Sequence, residues 1–411
     1  MSGRPPEPSR HERHMARALA LAEHGRATVS PNPMVGCVLV RDDEDEVIGE
    51  GWHAEAGQEH AEVLALRAAG PAARGATAYV TLEPCTHHGR TPPCSEALIQ
   101  AGVARVVIAA RDPDPRVDGA GTTRLRAAGV EVIEGVLQGE AEAQNEAFLT
   151  SVTQGRPFVL YKTAMTLDGK IATTNGDARW ITSPPSRARV QRWRHELDAV
   201  AVGVRTVLAD DPRLTARVPG GRSPRKVVFD THARTPPDAA LFAPDEHGTA
   251  ARVLIVVGSG VPDARRTALR DAGADVVAVP LAGGHASVSH ALAALHEREV
   301  RSVLLEGGGT LAWSFFEADA VDRVAWFVAP KLLGGTGASP LGGPGVATMT
   351  DAFQLDALRT ETSGEDLLLT GRVAPRAARS ADAAARTAPQ AGRPVALAED
   401  ATDIAPTGRK R

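Results

Sequence analysis

The chain is poor in cysteine and has no long apolar run. Only Cys37, Cys85 and Cys94 occur among its 411 residues, and so small and odd a number argues against a disulfide framework. We therefore expect metal binding or burial to account for these thiols. No run of about 18 apolar residues is present, which argues against a transmembrane helix, and the N-terminal segment lacks the apolar core of a secretory signal. The sequence thus predicts a soluble cytoplasmic protein.

An excess of positive charge is also lacking. The formal net charge is -4, so a long surface that follows nucleic-acid phosphates is not favoured. A composition of 43% hydrophobic and 23% charged residues suits packed domains rather than global disorder. At about 150 residues per domain, the length allows two or three domains.

Helices and strands are predicted to alternate along the first part of the chain. Apolar spacing indicates a helix over 9–27 and a hairpin over 35–40 and 47–52. It also indicates helices at 59–69 and 94–101, and strands at 78–82, 105–109 and 130–134. This alternation is typical of an α/β layer fold.

A second α/β series follows a polar segment, 137–154, that is predicted to be a helix joining two domains. Its predicted strands lie at 158–164, 199–204, 226–230, 253–257, 275–279, 302–305 and 324–328. We therefore predict one domain over 10–150 and a second over 155–373. Residues 374–411 are rich in alanine, mix both charges and lack apolar periodicity, so we expect a disordered tail.

One His and two Cys residues offer a metal site in the first domain. His60-Ala-Glu62 is followed by Pro84-Cys85 and, after eight more residues, by Cys94. Zinc binds imidazole nitrogen and thiolate sulfur, and a catalytic zinc keeps a fourth position open. Glu62 is two positions from His60, whereas neighbours on one helical face are three or four apart, so Glu62 is better placed to move protons beside the metal than to ligate it. The alternative is a structural zinc, which usually has a fourth protein ligand.

The arrangement H-x-E followed by P-C is the signature of zinc nucleobase deaminases, in which the second Cys commonly follows after two residues. The wider spacing here, EPCTHHGRTPPC at 83–94, together with PNPMVG at 31–36 and GWH at 51–53, resembles the riboflavin-pathway deaminase family. The segment DPDP at 112–115 has Asp114 where that family more often has Asn.

This resemblance implies a cytidine-deaminase-like three-layer fold and a catalytic zinc. It implies zinc ligands His60, Cys85 and Cys94, with Glu62 as the proton shuttle. It also implies substrate contacts from Asn32, His53, His87 and Arg90. Without it, Asn32 would be an ordinary turn residue and His53 an ordinary histidine. Cys37 lies in an apolar strand and is expected to be a buried small hydrophobe.

Four segments of the second domain form another pattern: KTAMTLDGKIA at 162–172, DARWIT at 177–182, VLADDPRLT at 207–215 and LLEGGGTL at 304–311. None is the G-x-G-x-x-G fingerprint of dinucleotide binding. The glycine run at 307–309 leaves a strand and precedes an apolar helix, so its backbone N–H groups could hold a phosphate, although such a run alone is more often a tight turn. Together these segments resemble the riboflavin-pathway reductase, which implies a dihydrofolate-reductase-like α/β fold and NADPH as hydride donor.

The resemblance assigns two sets of residues in the reductase domain. The cofactor set is Ala164, Trp180, Thr206, Asp210, Thr231, Gly308, Gly309, Thr310, Leu311, Ala312, Trp313 and Ser314. The substrate set is Lys162, Ala178, Arg194, Leu214, Arg217 and Glu306.

Chemistry supports some of these roles and leaves others open. Arg194 and Arg217 suit a phosphate, and Glu306 suits a ring amine, while Lys162 or Asp210 could supply a proton. The alternatives are an exposed helix charge for Arg194, a turn residue for Asp210 and a core position for Trp180.

The two resemblances together imply a bifunctional enzyme of riboflavin biosynthesis that acts on a small pyrimidine ribotide, binds one zinc ion and NADPH, and forms a homo-oligomer. The reactions implied are hydrolytic deamination of the ring, then reduction of the ribosyl chain to ribityl. The rivals are a tRNA or nucleoside deaminase, which would lack a reductase half, and a nucleic-acid-binding scaffold with a structural zinc and the arginine-containing tail as an arm. Decay of one half is a further alternative.

Overall fold

A five-stranded sheet forms the middle layer of the N-terminal domain. The computed structural model describes residues 7–86 and 93–375. The N-terminal elements are α1 (Arg10–Ala22), β1 (Gly36–Arg41), β2 (Glu46–Trp52), α2 (Ala61–Ala69), β3 (Thr77–Leu82), α3 (Cys94–Ala101), β4 (Arg105–Ala110), α4 (Ala120–Ala127) and β5 (Glu131–Glu134). The strand order is β2-β1-β3-β4-β5, with β1 antiparallel to both neighbours and β3, β4 and β5 parallel.

Helices cover both faces of this sheet because its strands are apolar on both sides. Cys37 and Leu39 pack with α2, α3 and α4, whereas Val38 and Val40 pack on the opposite face with α1. Successive strand residues point to opposite faces, which accounts for this division. The three-layer prediction is confirmed, and Cys37 is a fully buried apolar residue.

The first helix is shorter than predicted. Ser9 caps it, because the Ser9 hydroxyl accepts a hydrogen bond from Glu12 N and the Glu12 carboxylate accepts one from Ser9 N. The helix ends at Ala22 rather than residue 27. A Cβ on Gly25 would lie 2.4 Å from the His53 carbonyl oxygen. Glycine at this position therefore lets the chain turn close to the His53 backbone.

The segment predicted as one joining helix is two helices, α5 (Gln138–Gln144) and α6 (Glu146–Gln154), divided at Asn145. Ala141 of α5 packs in the core of the N-terminal domain. Ala147 of α6 packs against the core of the following domain. The boundary proposed at residue 150 therefore falls inside a helix.

A nine-stranded sheet forms the C-terminal domain. Its strands are β6 (Phe158–Thr166), β7 (Ala199–Gly203), β8 (Arg225–Phe229), β9 (Val253–Gly258), β10 (Ala274–Val279), β13 (Ser302–Leu305), β14 (Arg323–Ala329), β15 (Leu355–Ser363) and β16 (Asp366–Val373), with a small pair apart, β11 (Leu281–Ala282) and β12 (His285–Ala286). Its helices are α7 (Pro184–Glu196), α8 (Val204–Asp210), α9 (Asp263–Asp271), α10 (Val288–His296) and α11 (Gly309–Glu317). Helices α8 and α9 cover one face, and α10 and α11 cover the other. The predicted mixed α/β architecture is confirmed.

The strand order β10-β9-β8-β7-β13-β6-β14-β16-β15 contains a change of direction at β13. The chain runs outward from β7 to β10 and then returns to insert β13, parallel to both neighbours, between β7 and β6. In open α/β sheets, ligands bind outside the carboxyl ends of the strands at such a point. The sequence analysis missed helix α4, the small pair of β11 and β12, and the antiparallel hairpin of β15 and β16.

Candidate active sites

Three elements bring the predicted metal ligands together. His60 is the N-cap of α2, Cys85 follows β3, and Cys94 is the first residue of α3. The His60 Nδ1 atom lies 3.1 Å from Cys94 Sγ and 3.7 Å from Cys85 Sγ. All three ligand atoms lie within 4.8 Å of one another.

This triangle is close in size to a zinc site, although the 3.1 Å separation of His60 Nδ1 and Cys94 Sγ is shorter than a bound zinc ion would leave. Zinc bond lengths of about 2.0–2.3 Å in a tetrahedron place neighbouring nitrogen and sulfur ligands roughly 3.5–3.8 Å apart. Hydrogen bonds from Cys94 and His60 hold the pKa of the Cys85 thiol well below its usual value despite burial. A thiolate and an imidazole, rather than two neutral thiols, are the donors that zinc prefers.

Glu62 lies in the first turn of α2, next to this cluster. Its side chain is buried, with 3% of the residue exposed. Its Oε2 atom has no hydrogen-bond partner among the described residues. Burial raises the pKa of the carboxyl above its usual value. A buried carboxylate oxygen without a partner is costly unless a bound group satisfies it, so Glu62 is suited to face a ligand.

Asn32 and His53 form a hydrogen-bonded pair beside the cluster. The Asn32 amide nitrogen lies 3.0 Å from His53 Nε2, and His53 Nδ1 lies 3.1 Å from the Glu59 carbonyl oxygen. A carbonyl can only accept, so Nδ1 carries the proton and Nε2 accepts from the amide. Burial lowers the pKa of His53, which agrees with this neutral form.

A cavity of about 140 Å³ joins these groups. Its lining includes Asn32, His53, His60, Glu62 and Cys85, and also Asp112 and Asp114 of the DPDP segment. The other lining residues were given no contact by the sequence analysis: Pro33, Val35, Leu82, Glu83, Arg116, Val117 and Phe148. His87 and Arg90 lie outside the described residues. The cavity therefore gathers five of the predicted deaminase residues, and Cys94 adjoins it through the metal cluster.

Two carboxylates line the far side of this cavity. Burial raises the pKa of Asp112 to about 6, and its Oδ1 accepts a hydrogen bond from Asp114 N. The Asp114 carboxylate is held by the Arg116 guanidinium at 2.5–3.1 Å. Asp114, the residue that departs from the family pattern, thus carries its own counterion.

A second cavity, of about 440 Å³, opens where the C-terminal sheet changes direction. Its lining comes from the carboxyl ends of β7 (203–206), β8 (231, 232 and 234) and β13 (308–311 and 314). Gly308 is the N-cap of α11, so the first N–H groups of that helix face this region. A Cβ on Gly309 would lie 2.6 Å from the Ser339 carbonyl oxygen, so glycine allows the loop around residue 339 to close one side.

An ion pair joins the helix α7 to the end of β13. Arg194 Nε and Nη2 donate to the two Glu306 carboxylate oxygens at 2.6 and 3.0 Å, and Nη1 donates to the Thr215 carbonyl oxygen at 3.1 Å. Both side chains are largely buried, with 13% and 11% exposed. Burial alone would raise the pKa of Glu306, but the charges of Arg194 and Lys162 outweigh it and lower that pKa. Arg194 is thus held by protein groups rather than left open as a phosphate clamp.

Comparisons with known proteins identify relatives of both domains. A family model described as the cytidine and deoxycytidylate deaminase zinc-binding region matches residues 8–110, and one described as the RibD C-terminal domain matches residues 157–369. The chain is 44% identical over 358 residues to the riboflavin biosynthesis protein RibD of Actinobacillus pleuropneumoniae, covering 87% of this chain and 93% of that protein. It is 41% identical to the RibD of Escherichia coli K12, covering 87% and 98%. The chain belongs to the RibD family.

Solved structures of this family have the same fold. Acinetobacter baumannii RibD superposes with a TM-score of 0.79 at 36% identity, covering 89% of this chain and 99% of that one. The Thermotoga maritima diaminohydroxyphosphoribosylaminopyrimidine deaminase/5-amino-6-(5-phosphoribosylamino)uracil reductase does so with a TM-score of 0.75 at 38% identity, covering 89% and 99%. The chain is therefore a bifunctional enzyme of riboflavin biosynthesis, with a zinc-binding deaminase domain and a reductase domain.

The family assignment decides between the alternatives raised by the sequence. A tRNA or nucleoside deaminase was expected to lack the reductase half that this chain contains. A binding scaffold would not share both catalytic domains with enzymes over 87% of the chain. In the part of the chain that the structure describes, no helix has the length and apolarity needed to cross a bilayer.

The second cavity, where the C-terminal sheet changes direction at β13, brings together part of the predicted cofactor set: Thr206, Thr231, Gly308, Gly309, Thr310, Leu311 and Ser314. Five others lie elsewhere. Ala312 is fully buried in the core, and the Trp313 ring packs against Phe353 with ring centroids 6.1 Å apart. Asp210 is exposed at the end of α8, and Ala164 packs in the core cluster that contains Phe327.

Trp180 is neither in that cavity nor in the core. It is 62% exposed, and the Arg187 guanidinium lies 4.6 Å from its ring centroid. It lines a separate cavity with Lys331. The predicted alternative of a core position is therefore wrong.

The predicted substrate set is divided in the same way. One part of the set is a charged group around Glu306. The positive charges of Arg194, Lys162 and Arg217 all lower the pKa of Glu306. The Leu214 side chain is buried, with 3% of the residue exposed, and packs in the core against α8. Ala178 is exposed in the segment before Trp180.

Proposed function

We propose that the N-terminal domain hydrolytically deaminates 2,5-diamino-6-(5-phosphoribosylamino)pyrimidin-4(3H)-one. We further propose that the C-terminal domain reduces the ribosyl chain of the product with NADPH, giving 5-amino-6-(5-phosphoribitylamino)uracil. The name of the Thermotoga maritima relative supports this substrate class. The observation that carries the deaminase proposal is the buried, unpartnered Glu62 oxygen beside a three-donor metal cluster.

His60, Cys85 and Cys94 would hold one zinc ion, in keeping with their mutual distances. When bound, zinc supplies a Lewis acid that lowers the pKa of water and leaves a fourth position open. Glu62 would take a proton from the attacking water and return a proton to the leaving amine. Water and the ring C–NH₂ group thus become a ring carbonyl and ammonia.

Other residues of the first cavity would recognise the substrate. The neutral His53 imidazole would orient the Asn32 amide, which would present its oxygen and its second N–H to the ring edge. Asp112 and Asp114 offer acceptors for ring N–H groups. We keep His87 and Arg90 as proposed contacts, the latter for the phosphate, since a guanidinium binds phosphate oxygens bidentately.

Metal removal tests the deaminase proposal directly. We expect protein stripped with a chelator to lose ammonia release and to regain it with added zinc, because the metal is needed only for the first reaction. The same metal-free protein should still reduce the deaminated intermediate. Loss of both reactions on chelation, or of neither, would contradict the assignment of the metal to His60, Cys85 and Cys94.

NADPH would bind in the second cavity, where the C-terminal sheet changes direction at β13. Its phosphates can meet the N-terminus of α11 after Gly308, where N–H groups and the helix dipole favour anions. Arg205, His232, Arg234 and His285 also line this cavity. These basic groups offer partners for the 2′-phosphate that distinguishes NADPH from NADH.

Removing two of these cations should change the cofactor preference. In the double variant Arg205→Ala/Arg234→Ala, we expect the ratio of NADP⁺ to NAD⁺ affinity to fall at least about tenfold, the size expected for one or two lost charge-assisted hydrogen bonds. Fluorescence titration with each nucleotide measures it without turnover. Arg213→Ala is the matched control, since Arg213 donates to the Pro244 carbonyl oxygen outside the cavity. An unchanged ratio in the double variant would show that other groups read the phosphate.

Reduction of the opened ribose needs one hydride and one proton. Of the two proposed proton donors, the structure favours Lys162, because it lies in the charged cluster with Glu306 while Asp210 is exposed at the end of α8. Burial lowers the pKa of Lys162, which makes its ammonium a better acid. Glu306 would accept from a ring amine, with Arg194 fixing its carboxylate and Arg217 free to meet the substrate phosphate through its side chain.

We also propose a cytoplasmic homo-oligomer without nucleic-acid or membrane partners. Strand β15 lies at the sheet edge, with Leu355 and Leu358 exposed and Met349 85% exposed nearby in the chain. Unpaired sheet edges with apolar side chains are suited to association. Sedimentation equilibrium giving the mass of one chain at micromolar concentration would overturn the oligomer proposal.

A further inference from the structure

The loop that carries Asn32 connects α1 to β1, and residues outside the N-terminal sheet hold both of its ends. Asn145 contacts Met34 at one end, and Arg222 of the C-terminal domain contacts Ala27 at the other. Between them, Asn32 hydrogen-bonds to His53 in the deaminase cavity. The position of a proposed substrate contact therefore depends on two distant parts of the chain.

The Asn145 side chain pairs with the backbone of Met34 as a neighbouring strand would. Its Oδ1 accepts from Met34 N and its Nδ2 donates to Met34 O, each at 2.8 Å. Asn145 is the N-cap of α6, a position where an Asn side chain usually hydrogen-bonds to the first N–H groups of the helix. Its amide makes no such capping hydrogen bond. The residue is buried, with 3% exposed. The Asn145 side chain thus hydrogen-bonds to Met34 of the loop rather than to its own helix.

Arg222 is held in place by the reductase domain while it reaches the loop. Its Nε donates to the Ala27 carbonyl oxygen at 2.5 Å, and its Nη2 lies 3.3 Å from Asp198 Oδ1. Its backbone N–H donates to His195 Nδ1 at 3.0 Å. His195 follows Arg194, the partner of Glu306. The last turn of α7 therefore carries both Arg194, which pairs with Glu306, and His195, which supports Arg222.

Helix α6 ties the other side of the same cavity to the reductase domain. Phe148 lines the deaminase cavity. Two residues earlier, Glu146 forms ion pairs with Arg323 at 2.7 Å and Arg372 at 2.8 Å, both on strands of the C-terminal sheet. A wall of the first active site is thus built on a helix fixed to the second domain.

We propose that the reductase domain and α6 complete the deaminase site, with Asn145 and Arg222 acting as positioning residues for the Asn32 loop and Phe148 as a wall of the substrate cavity. The proposal rests on the proposed role of Asn32 as a substrate contact. Neither Asn145 nor Arg222 touches the metal ligands in any described hydrogen bond, so their effect is exerted on the substrate through the loop.

Steady-state kinetics of Asn145→Ala and Arg222→Ala in the full zinc-loaded chain test this proposal. For Asn145→Ala we expect deaminase kcat/KM to fall about tenfold or more, chiefly through a higher KM, because a displaced contact weakens substrate positioning. Reduction of the deaminated intermediate by Asn145→Ala should stay within about twofold of wild type, and bound zinc should be unchanged. Arg222→Ala should lower deamination more than reduction. Arg252→Ala is the matched control, because Arg252 is exposed and its side chain donates to the Ser223 carbonyl oxygen within the C-terminal domain.

Conservative variants separate positioning from a general loss of structure. Asn145→Asp keeps the acceptor for Met34 N but loses the donor to Met34 O, so its deaminase KM should lie between those of wild type and Asn145→Ala. Because both residues act on one loop, the double variant should show a smaller loss than the product of the two single losses. These variants decide the matter even if Asn145→Ala fails to fold.

Two results would overturn the proposal. One is deaminase kinetics unchanged in both single variants while wild type releases ammonia. The other is a parallel fall of both activities that follows the unfolding temperature. If wild type itself releases no ammonia, the proposed deaminase reaction is at fault instead, and the two failures are thereby distinguished.

Discussion

Replacing Glu62 with glutamine is expected to abolish ammonia release while leaving reduction of the deaminated intermediate intact. Glutamine has the shape of glutamate but cannot take a proton from water or return one to the leaving amine, and such proton transfers contribute about 10²–10⁴ in rate. The Glu62 carboxylate is buried with one oxygen unpartnered among the described residues. The loss should therefore appear in kcat rather than KM, and zinc content should not change.

Glu59→Gln is the matched control for this variant. Glu59 is one residue before His60, but its carboxylate pairs with the exposed Arg67, and only its backbone carbonyl meets His53. Exposed ion pairs contribute little to stability, so we expect near wild-type deamination. Ammonia release by Glu62→Gln within about tenfold of wild type would exclude Glu62 as the proton shuttle, since general acid–base catalysis contributes more than that.

The largest expected effect in the second domain comes from Glu306→Gln. This change leaves the Arg194 charge largely buried without its carboxylate, and losing one partner of a buried pair costs about 3–5 kcal/mol; with 13% of Arg194 exposed, we expect the lower end of that range. Reductase kcat/KM should also fall by about 10–100-fold, because a charged acceptor for the ring amine is lost. Four of the five tryptophans, at 180, 193, 313 and 326, lie in the C-terminal domain, so tryptophan fluorescence during urea unfolding reports mainly on this domain.

The double variant Glu306→Gln/Arg194→Met separates the two consequences. Removing both charges should restore much of the stability without restoring reduction, because the buried charge is gone but the acceptor is still missing. Equal stability of the single variant and wild type would show that the pair is not buried in solution.

The pH dependence of this stability has a defined sign. The neighbouring cations hold the pKa of Glu306 below its usual value against the effect of burial. A lowered pKa contributes stability above the unfolded-state pKa, and that contribution is lost as the pH falls through the folded-state pKa. The stability difference between wild type and Glu306→Gln should therefore persist at neutral pH and shrink only in acid, below the ordinary pKa of a glutamate.

The sequence predicted which donors come together at the metal cluster because that information is local. Cys94 begins α3 as expected, and His60 and Glu62 lie at the start of α2, so the motif spacing brings the three donors and the carboxylate close together. Phe148 was missed because it reaches the cavity only through the packing of a distant helix, α6. The one aromatic residue in the polar segment 137–154 was the signal that could have identified Phe148.

The predicted cofactor set of the reductase domain is divided in the structure because the continuous stretch 308–314 was taken as a whole. On a helix, successive residues are rotated by about 100°, so Leu311 and Ser314 face the cavity while Ala312 lies in the core and Trp313 against Phe353. The β15–β16 hairpin escaped prediction because β15 is exposed along almost its whole length, and apolar alternation marks only strands with one buried face.

The most direct test of the account is a coupled assay with the zinc-loaded wild-type chain, the diaminopyrimidine ribotide and NADPH, in which ammonia and NADPH are followed together. We predict that ammonia release comes first and that NADPH oxidation follows with a lag, which disappears when the deaminated intermediate is supplied. Oxidation of NADPH without ammonia release would contradict the proposed order, and release of ammonia with no NADPH oxidation would contradict the proposed role of the reductase domain.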